Sequence, residues 1–357
     1  MATPTIYDIA GKARVSIATV SRVLNGNPRV SDATRDRVFA VAEELGYEPN
    51  ASAQSLARQN SRVVAAVVPM MTSPFFMEVL RGVQDRLDES DYDLVVYTTR
   101  TLDKVDGVLA RACQRGRSDG LLLLSTPVTA ERAERLGQAG CPVVLVDAAH
   151  DAFDSVTVDN RRGGAAAVRH LVELGHTRIG AVVPVVDSVP ARERLLGYHD
   201  ALAEAGLDAD DALVVTADWD HHQHGYTRNA GYLGMQRLLE RFADAPDARP
   251  TAVFVAADVM ALGALRAARE AGLDAVGTGD GAPAGTIDVV GFDDIASSAY
   301  VGLTTLRQPM AEMGQHAAER LLQRLADPGL SPAHTVYAPT LVARETTAGQ
   351  PLPEVSA

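Results

Sequence analysis

Cysteine is almost missing from this chain. Two residues, Cys113 and Cys141, stand 28 positions apart among 357, with no C-x-x-C pair around either. That excludes a disulfide framework and a thiolate zinc cluster, and leaves two reduced, partly buried thiols in a reducing compartment. Tryptophan occurs once, as Trp219, and lysine twice, as Lys12 and Lys104, although lysine and arginine together number 33. The lysine shortage reads as compositional bias. Long apolar runs are absent too. The best stop at about six residues, against roughly 20 needed to span a bilayer, so no membrane segment is expected. The opening Met-Ala-Thr-Pro-Thr-Ile-Tyr-Asp carries neither a basic stretch nor an apolar core. No secretory leader is expected, and the chain is placed in the cytoplasm.

Positive charge is the other deficit. A net charge of −13 argues against a nucleic-acid partner until its distribution is read. Residues 1–59 hold seven basic side chains (Lys12, Arg14, Arg22, Arg29, Arg35, Arg37, Arg58) and six acidic ones, leaving −14 for the rest. An acidic body with a near-neutral head still binds DNA if the cations of the head share one face. What is present is otherwise ordinary: 46% hydrophobic residues and a mean hydropathy of −0.01 describe a globular protein, long enough for two or three domains.

The first 46 residues read as three short helices. Thr5 N-caps the first, with Asp8 three residues on and Ile6, Ile9, Ala10 and Ala13 along its inner face. Ser16 N-caps the second, Ile17–Asn25, which turns Val20, Val23 and Leu24 inward until Asn25-Gly26-Asn27-Pro28 breaks it. Ser31 caps the third, with Val38, Val41, Ala42 and Leu45 inward and Gly46 ending it in the left-handed region. Two helices on a turn of about three residues, backed by a third, form the helix-turn-helix plan, which many small helical domains share. A polar linker follows, and its Ala-rich part, Asn50–Arg58, is too short to be a stable helix alone.

From Arg62 the pattern changes. Apolar runs at Val63–Val68, Leu94–Tyr97, Leu121–Leu124, Val143–Val146, Ile179–Val183, Val253–Ala256 and Val289–Phe292 alternate with amphipathic helical stretches. Such runs signal buried parallel strands, too many for one compact sheet, so two α/β lobes are expected. Ligands of open parallel sheets bind beyond the carboxyl ends of the strands. Asp147 and Asp293-Asp294 directly follow two of the runs. The Gly-rich stretch Ala275–Thr286 reads as a surface insertion.

Several stretches carry a resemblance. Thr5-Ile-Tyr-Asp-Ile-Ala10, Val15-Ser-Ile-Ala-Thr-Val-Ser-Arg-Val-Leu-Asn-Gly26, Arg29-Val-Ser31 and Glu44-Leu-Gly-Tyr-Glu-Pro-Asn50 form the head motif. Weaker echoes are Ser73-Pro-Phe-Phe76, Leu174-Gly-His-Thr-Arg-Ile179, Ala191-Arg-Glu-Arg-Leu-Leu-Gly-Tyr198, Met260-Ala-Leu-Gly263 and Val290-Gly-Phe-Asp-Asp294. With these the chain resembles, end to end, the lac repressor (LacI/GalR) family of bacterial transcription regulators. The resemblance implies an α/β protein with an N-terminal three-helix helix-turn-helix head over 1–49. A hinge helix and linker would follow over 50–61, then a two-lobed core like periplasmic binding proteins, with parallel sheets, over 62–347. A tail would occupy 348–357, and the chain would cross between lobes near 160, 290 and 320.

In that reading Ser16–Asn25 is the recognition helix. Ile17, Ala18 and Arg22 would face bases, with Arg22 able to pair bidentately with guanine for roughly 1–3 kcal/mol of discrimination. Thr5, Tyr7, Ser16, Thr19, Ser21, Asn25, Ser31 and Thr34 would hold phosphates, a role compatible with N-capping at Thr5, Ser16 and Ser31. The resemblance further implies that Asn50–Arg58 folds on the operator and that Leu56, beside Ala53, wedges into the minor groove of a pseudo-palindromic double-stranded site held by a homodimer. Arg14 stands where the family usually has glycine, at a cost of about 1 kcal/mol if its φ is positive.

The core would hold a small effector between its lobes. Phe75 and Phe76 would supply apolar walls, Trp219 a stacking face, and Asp147, Arg194 and Asp293 polar anchors, a mixture that suits a sugar. Each has a plainer role open to it: core packing for the phenylalanines, loop packing for Trp219, a helix cap for Asp293, a structural ion pair for Arg194. Ala257 stands where many members carry Asn, so the particular sugar does not transfer. His221, His222 and His224 read as an exposed polar loop, since no second ligand cluster supports a metal.

The expectation is a sugar-released repressor of carbohydrate-utilisation genes. The alternatives are a co-repressor-activated, nucleobase-type regulator of the same fold and, from another class, a sugar-binding transport protein. No nucleophile elbow, metal constellation or dinucleotide fingerprint stands in the chain, so neither enzymatic activity nor a cofactor is expected.

Overall fold

A computed structural model of the protein describes residues 4–24, 29–47, 60–99, 104–184, 188–217, 225–275 and 285–348. Asn25, the Asn50–Arg58 hinge with Ala53 and Leu56, Trp219, the three histidines of 221–224, most of the Gly-rich insertion and the tail lie outside these residues. The chain divides into two compact units, the first built on Met1–Arg62 and the second on most of Val63–Ala357.

The first unit consists of α1 (Ile6–Ala13), α2 (Ile17–Leu24) and α3 (Asp32–Leu45). Asp8 returns to the start of α1, its carboxylate accepting from the Thr5 N–H at 2.8 Å and the Thr5 hydroxyl at 2.7 Å, which hold its pKa below the usual carboxylate range. Ser16 Oγ accepts from Thr19 N–H at 3.1 Å and so caps α2. Ile9, Ala13, Val20, Val23 and Val38 close the small core. Gly46 ends α3 with φ 62°. Arg14 ends α1 in the same left-handed region, φ 52°, so the residue at the turn carries the strain that glycine would avoid.

The second unit has two lobes. The elements in chain order are β1 (Val63–Val68), α4 (Pro74–Leu87), β2 (Asp93–Thr98), α5 (Val105–Ala112), β3 (Gly120–Leu124), α6 (Ala130–Ala139), β4 (Val143–Val146), β5 (Asp154–Val158), α7 (Asn160–Glu173) and β6 (Ile179–Pro184). There follow α8 (Val189–Glu204), β7 (Val214–Ala217), α9 (Arg228–Glu240), β8 (Ala252–Val255), α10 (Asp258–Glu270), β9 (Asp288–Asp293), α11 (Ala296–Tyr300) and β10 (Thr304–Arg307). Last come α12 (Met310–Ala326), β11 (His334–Tyr337), β12 (Thr340–Val342) and α13 (Glu345–Ala348).

Lobe 1 is a parallel sheet ordered β2-β1-β3-β4-β5-β11, and lobe 2 a sheet ordered β7-β6-β8-β9-β10-β12 in which only β12 runs antiparallel. The inner strands are fully buried because helices cover both faces, which is why their sequences are continuous apolar runs. All seven apolar runs read from the sequence are strands. Five further strands are not apolar runs. β5, β7, β10, β11 and β12 mix Asp, Ser, Thr, His or Arg with their apolar residues, and in β5 and β10 the polar groups find partners far away in the chain.

Two of the expected lobe crossings need correction. The chain passes between sheets after β5, between β10 and α12, and between β11 and β12. The last two passages therefore lie near 308 and 338 and not near 290 and 320. Residue 290 is inside β9, which has hydrogen-bonded neighbours on both sides, and residue 320 is inside α12, whose Met313, Ala317 and Leu321 are buried in the lobe 1 core.

Candidate functional site

Two surfaces concentrate the residues singled out from the sequence. On the head, Thr5, Tyr7, Ser16, Ile17, Ala18, Arg22 and Ser31 are exposed, while Thr19, Ser21 and Thr34 are half-buried. Val20 and Val23 are turned into the core, while Ile17 is 43% exposed and Tyr7 68% exposed. Ser31 and Thr34 share a hydroxyl hydrogen bond of 2.9 Å at the start of α3.

The second surface is the cleft between the two lobes of the second unit, about 890 Å³ of space including its open mouth. Phe75, Phe76, Asp147, Arg194 and Asp293 all line it. The two rings pack edge to face, centroids 5.2 Å apart, at the start of α4. Lobe 1 thus offers an apolar wall, and lobe 2 brings the charged pair.

Arg194 reaches the cleft because α7 and α8 nearly touch. A Cβ on Gly164 would overlap the Arg194 carbonyl oxygen, so only glycine allows that approach. Its guanidinium donates from Nε to Asn160 Oδ1 at 2.8 Å and from Nη1 to the Ala256 carbonyl at 2.6 Å, stacks 3.7 Å from the Phe292 ring centre, and lies 3.5 Å from Asp293. Arg194 therefore supports lobe 2 as well as facing the cleft. Asp293 accepts from Gln308 Nε2 at 2.6 Å and does not cap α11. The N-cap residue of α11 is Ile295, whose own N–H donates to Asp258 at 3.1 Å.

Burial pushes the Asp293 carboxyl up to about 6, with Arg194 and Gln308 opposing. Burial raises Asp147 as well, against the Ser125 hydroxyl, which donates to it at 2.5 Å, and against Arg194. The backbone marks the same place. Of the six non-glycine residues with positive φ among those described, Ser125, Asp147, Asp293 and Asp294 sit at the carboxyl ends of β3, β4 and β9. Strain held at strand ends around a cleft is characteristic of binding sites. Neutral hydroxyl-bearing ligands suit this lining, because carboxylates accept from hydroxyls, guanidinium donates to them, and rings cover C–H faces.

The profile of bacterial regulatory proteins of the lacI family matches residues 5–50, and that of a periplasmic binding protein-like domain matches residues 168–347. Catabolite control protein A of Priestia megaterium is 34% identical over 325 residues, covering 90% of this chain and 92% of that protein. The chain belongs to the lacI family of bacterial regulatory proteins.

This lacI-family protein is also similar to solved structures. A lac repressor dimer bound to operator and an anti-inducer superposes with a TM-score of 0.80 at 29% identity, over 97% of this chain and 99% of that one. A complex of the regulator CelR with cellobiose gives 0.68 at 33% identity, over 96% and 99%.

Further residues line the cleft of this lacI-family protein that sequence reasoning missed: Met70, Ser125, Thr126, Ser188, Tyr226 and Val259. Ser125 and Thr126 directly follow the β3 run, so the rule that picked Asp147 would have found them. Ser188 caps α8 and shares a 3.1 Å hydrogen bond with the Tyr226 hydroxyl, a pairing across 38 residues with no local signal. Ala257 is buried at the start of α10 and does not line the cleft; its neighbour Val259 does.

Proposed function

We propose that this protein is a cytoplasmic, homodimeric repressor, without catalytic activity, that leaves its operator when a small sugar occupies the cleft. The observation that carries the reading is the cleft lining: a phenylalanine pair and Asp147 on lobe 1 facing Arg194 and the buried Asp293 on lobe 2, in a chain whose head is of the lacI family. The relative solved with cellobiose supports a sugar as the effector class. Ile17, Ala18 and Arg22 read bases in the major groove. Thr5, Tyr7, Ser16, Thr19, Ser21, Asn25, Ser31 and Thr34 hold phosphates, and Asn50, Ala53 and Leu56 belong to a hinge that enters the minor groove. In the cleft, Asp147, Arg194 and Asp293 bind hydroxyls while Phe75, Phe76 and Trp219 cover the ring. The domain division at 49, 61 and 347 follows from these roles. Effector binding changes the angle between lobes, the paired hinges lose register, and operator affinity falls.

The test is a thermal-shift screen of the full chain against monosaccharides, disaccharides, sugar phosphates, nucleobases and nucleosides, repeated by fluorescence anisotropy on a duplex selected from genomic fragments. A ligand at a hundred times its Kd stabilises the protein by about 2.7 kcal/mol. A sugar that stabilises the protein and releases the duplex supports the reading. A nucleobase that tightens the duplex overturns it in favour of a co-repressor mechanism. Arg22→Ala should weaken the selected duplex and leave the sugar shift unchanged.

A further inference from the structure

Lobe 1 pairs most of its arginines with carboxylates. Among its described residues, Arg81, Arg86, Arg132, Arg135, Arg320 and Arg324 each meet an Asp or Glu. The arginines that meet none, Arg111, Arg115 and Arg117, stand together at the end of α5 and in the turn before β3. Arg111 lies back along its own helix, with Nη1 3.9 Å from where a Cβ on Gly107 would stand. Arg115 and Arg117 instead flank Gly116, whose φ of 83° makes the turn and where an added Cβ would meet nothing within 4 Å. Both arginines are exposed. Neither side chain has a hydrogen-bonding or ionic partner among the described residues, Asp119 included.

The turn also keeps different company from the rest of lobe 1. Arg115–Ser118 falls in the first compact unit, with residues 1–62, whereas the chain on either side of it belongs to the second. The Asp119 N–H donates to the Val63 carbonyl at 2.8 Å, and Gly120 is paired with Val64. The turn therefore enters β3 beside the point where the chain arriving from the head enters β1. The last acid before that point is Glu48, and Arg58 and Arg62 follow it. Counted with the turn, the first unit carries ten basic and six acidic side chains, in a chain of net charge −13. Water satisfies a lone surface arginine. It gives no reason for two on one open turn, in the unit that holds the lacI-family head, of a chain that elsewhere in this lobe neutralises them.

We propose that Arg115 and Arg117 bind backbone phosphates of the operator, a contact outside the helix-turn-helix head. A guanidinium donates two parallel N–H bonds to phosphate oxygens, which positions the duplex without reading its sequence. Each phosphate so neutralised releases counterions and steepens the fall of log affinity with log salt by about 0.9. Two arginines on each of two protomers therefore add up to about 3.6 to that slope.

The experiment is fluorescence anisotropy of the full-length protein on the selected duplex and on a scrambled duplex of equal length, across a fourfold range of salt from about 50 to about 200 mM. The double substitution Arg115→Gln and Arg117→Gln should flatten the slope by about 2 to 4 on both duplexes. Over that salt range the unsubstituted protein then loses up to about 150-fold more affinity than the variant. Melting temperature and sugar-induced thermal shift should not move, and lysine at both positions should restore the slope because the charge is kept. A slope unchanged to within about one unit overturns the proposal. So does a slope that lysine fails to restore, or a loss confined to the selected duplex, since phosphates are alike in every sequence. The inference rests on DNA binding by the head, and the two fail differently. An unsubstituted protein that binds neither duplex at low salt removes both, whereas binding with an unchanged slope removes this contact alone.

Discussion

Each lobe buries an aspartate completely, Asp154 in lobe 1 and Asp258 in lobe 2, and their surroundings differ in kind. Asp154 meets cations: Arg320 Nε at 2.7 Å and Arg324 Nε at 2.5 Å, with the Ala333 N–H at 2.8 Å. Burial alone would raise its pKa, but the two guanidinium groups outweigh it and hold the carboxyl below the usual range. Asp258 meets only neutral donors: Ser298 and Thr305 hydroxyls, each at 2.6 Å, and the Ile295 N–H. There burial wins, with the charge of Asp293 adding to it, and the carboxyl rises to about 7. Hydrogen bonds to hydroxyls satisfy a carboxylate's lone pairs without offsetting its charge. The two lobes repeat one topology, yet one fastens its last helix with ion pairs and the other ties its cleft-side strands with a titratable group.

The comparison predicts opposite responses. Asp154→Ala strands two largely buried guanidinium groups and should cost about 3–5 kcal/mol in urea unfolding at neutral pH. A loss below about 1 kcal/mol would mean that solvent already serves those arginines. Next in size, Asp258→Asn should cost about 1–3 kcal/mol at pH 8, because one oxygen that accepted becomes an amide facing donors. If it matched the Asp154 loss, the distinction between charged and neutral partners would fail.

The pH profile comes third. The lowered Asp154 contributes stability above its unfolded pKa and loses it as pH falls through the folded value. Asp258 and Asp293 are raised, so the folded chain holds protons that the unfolded one lacks. Their contribution is full below the ordinary carboxylate range and fades as pH rises through about 6 to 7. Unfolding free energy measured from pH 8 to pH 5 should therefore gain a component of at most about 1.4 kcal/mol per pH unit for each such proton. Asp258→Asn should remove its share, and an unchanged slope in that variant would exclude Asp258 as the source. Smallest is Thr305→Val, which takes one donor from Asp258. It should cost about 1 kcal/mol at pH 8 and move the window to higher pH; a downward move would contradict the assignment.

Much of this architecture was legible because apolar runs report burial directly. The seven strands read from the sequence lie where helices cover both faces, and Val143–Val146 matches β4 to the residue. β5 and β10 were invisible for the opposite reason. Asp154 and Thr304-Thr305 look like surface residues until α12 brings Arg320 and Arg324, and until α10 and α13 bring Asp258 and Thr346. The lobe crossings were misplaced near 290 and 320 because a crossing is a change of partner, and partners are not written locally. In the cleft, aspartates after apolar runs were a sufficient cue for Asp147 and Asp293. Tyr226 had none.

The sequence by itself determined the head's caps, the three-helix pattern, the alternation of buried strands with helices, and the family that these motifs identify. All of these rest on periodicity and on neighbours within four residues. Tertiary structure alone decided which polar groups are charged, strained or in contact. It set Asp258 against hydroxyls and Asp154 against arginines, and turned Arg194 half toward the cleft. Those properties depend on desolvation and on partners dozens of residues away, and no local pattern encodes either.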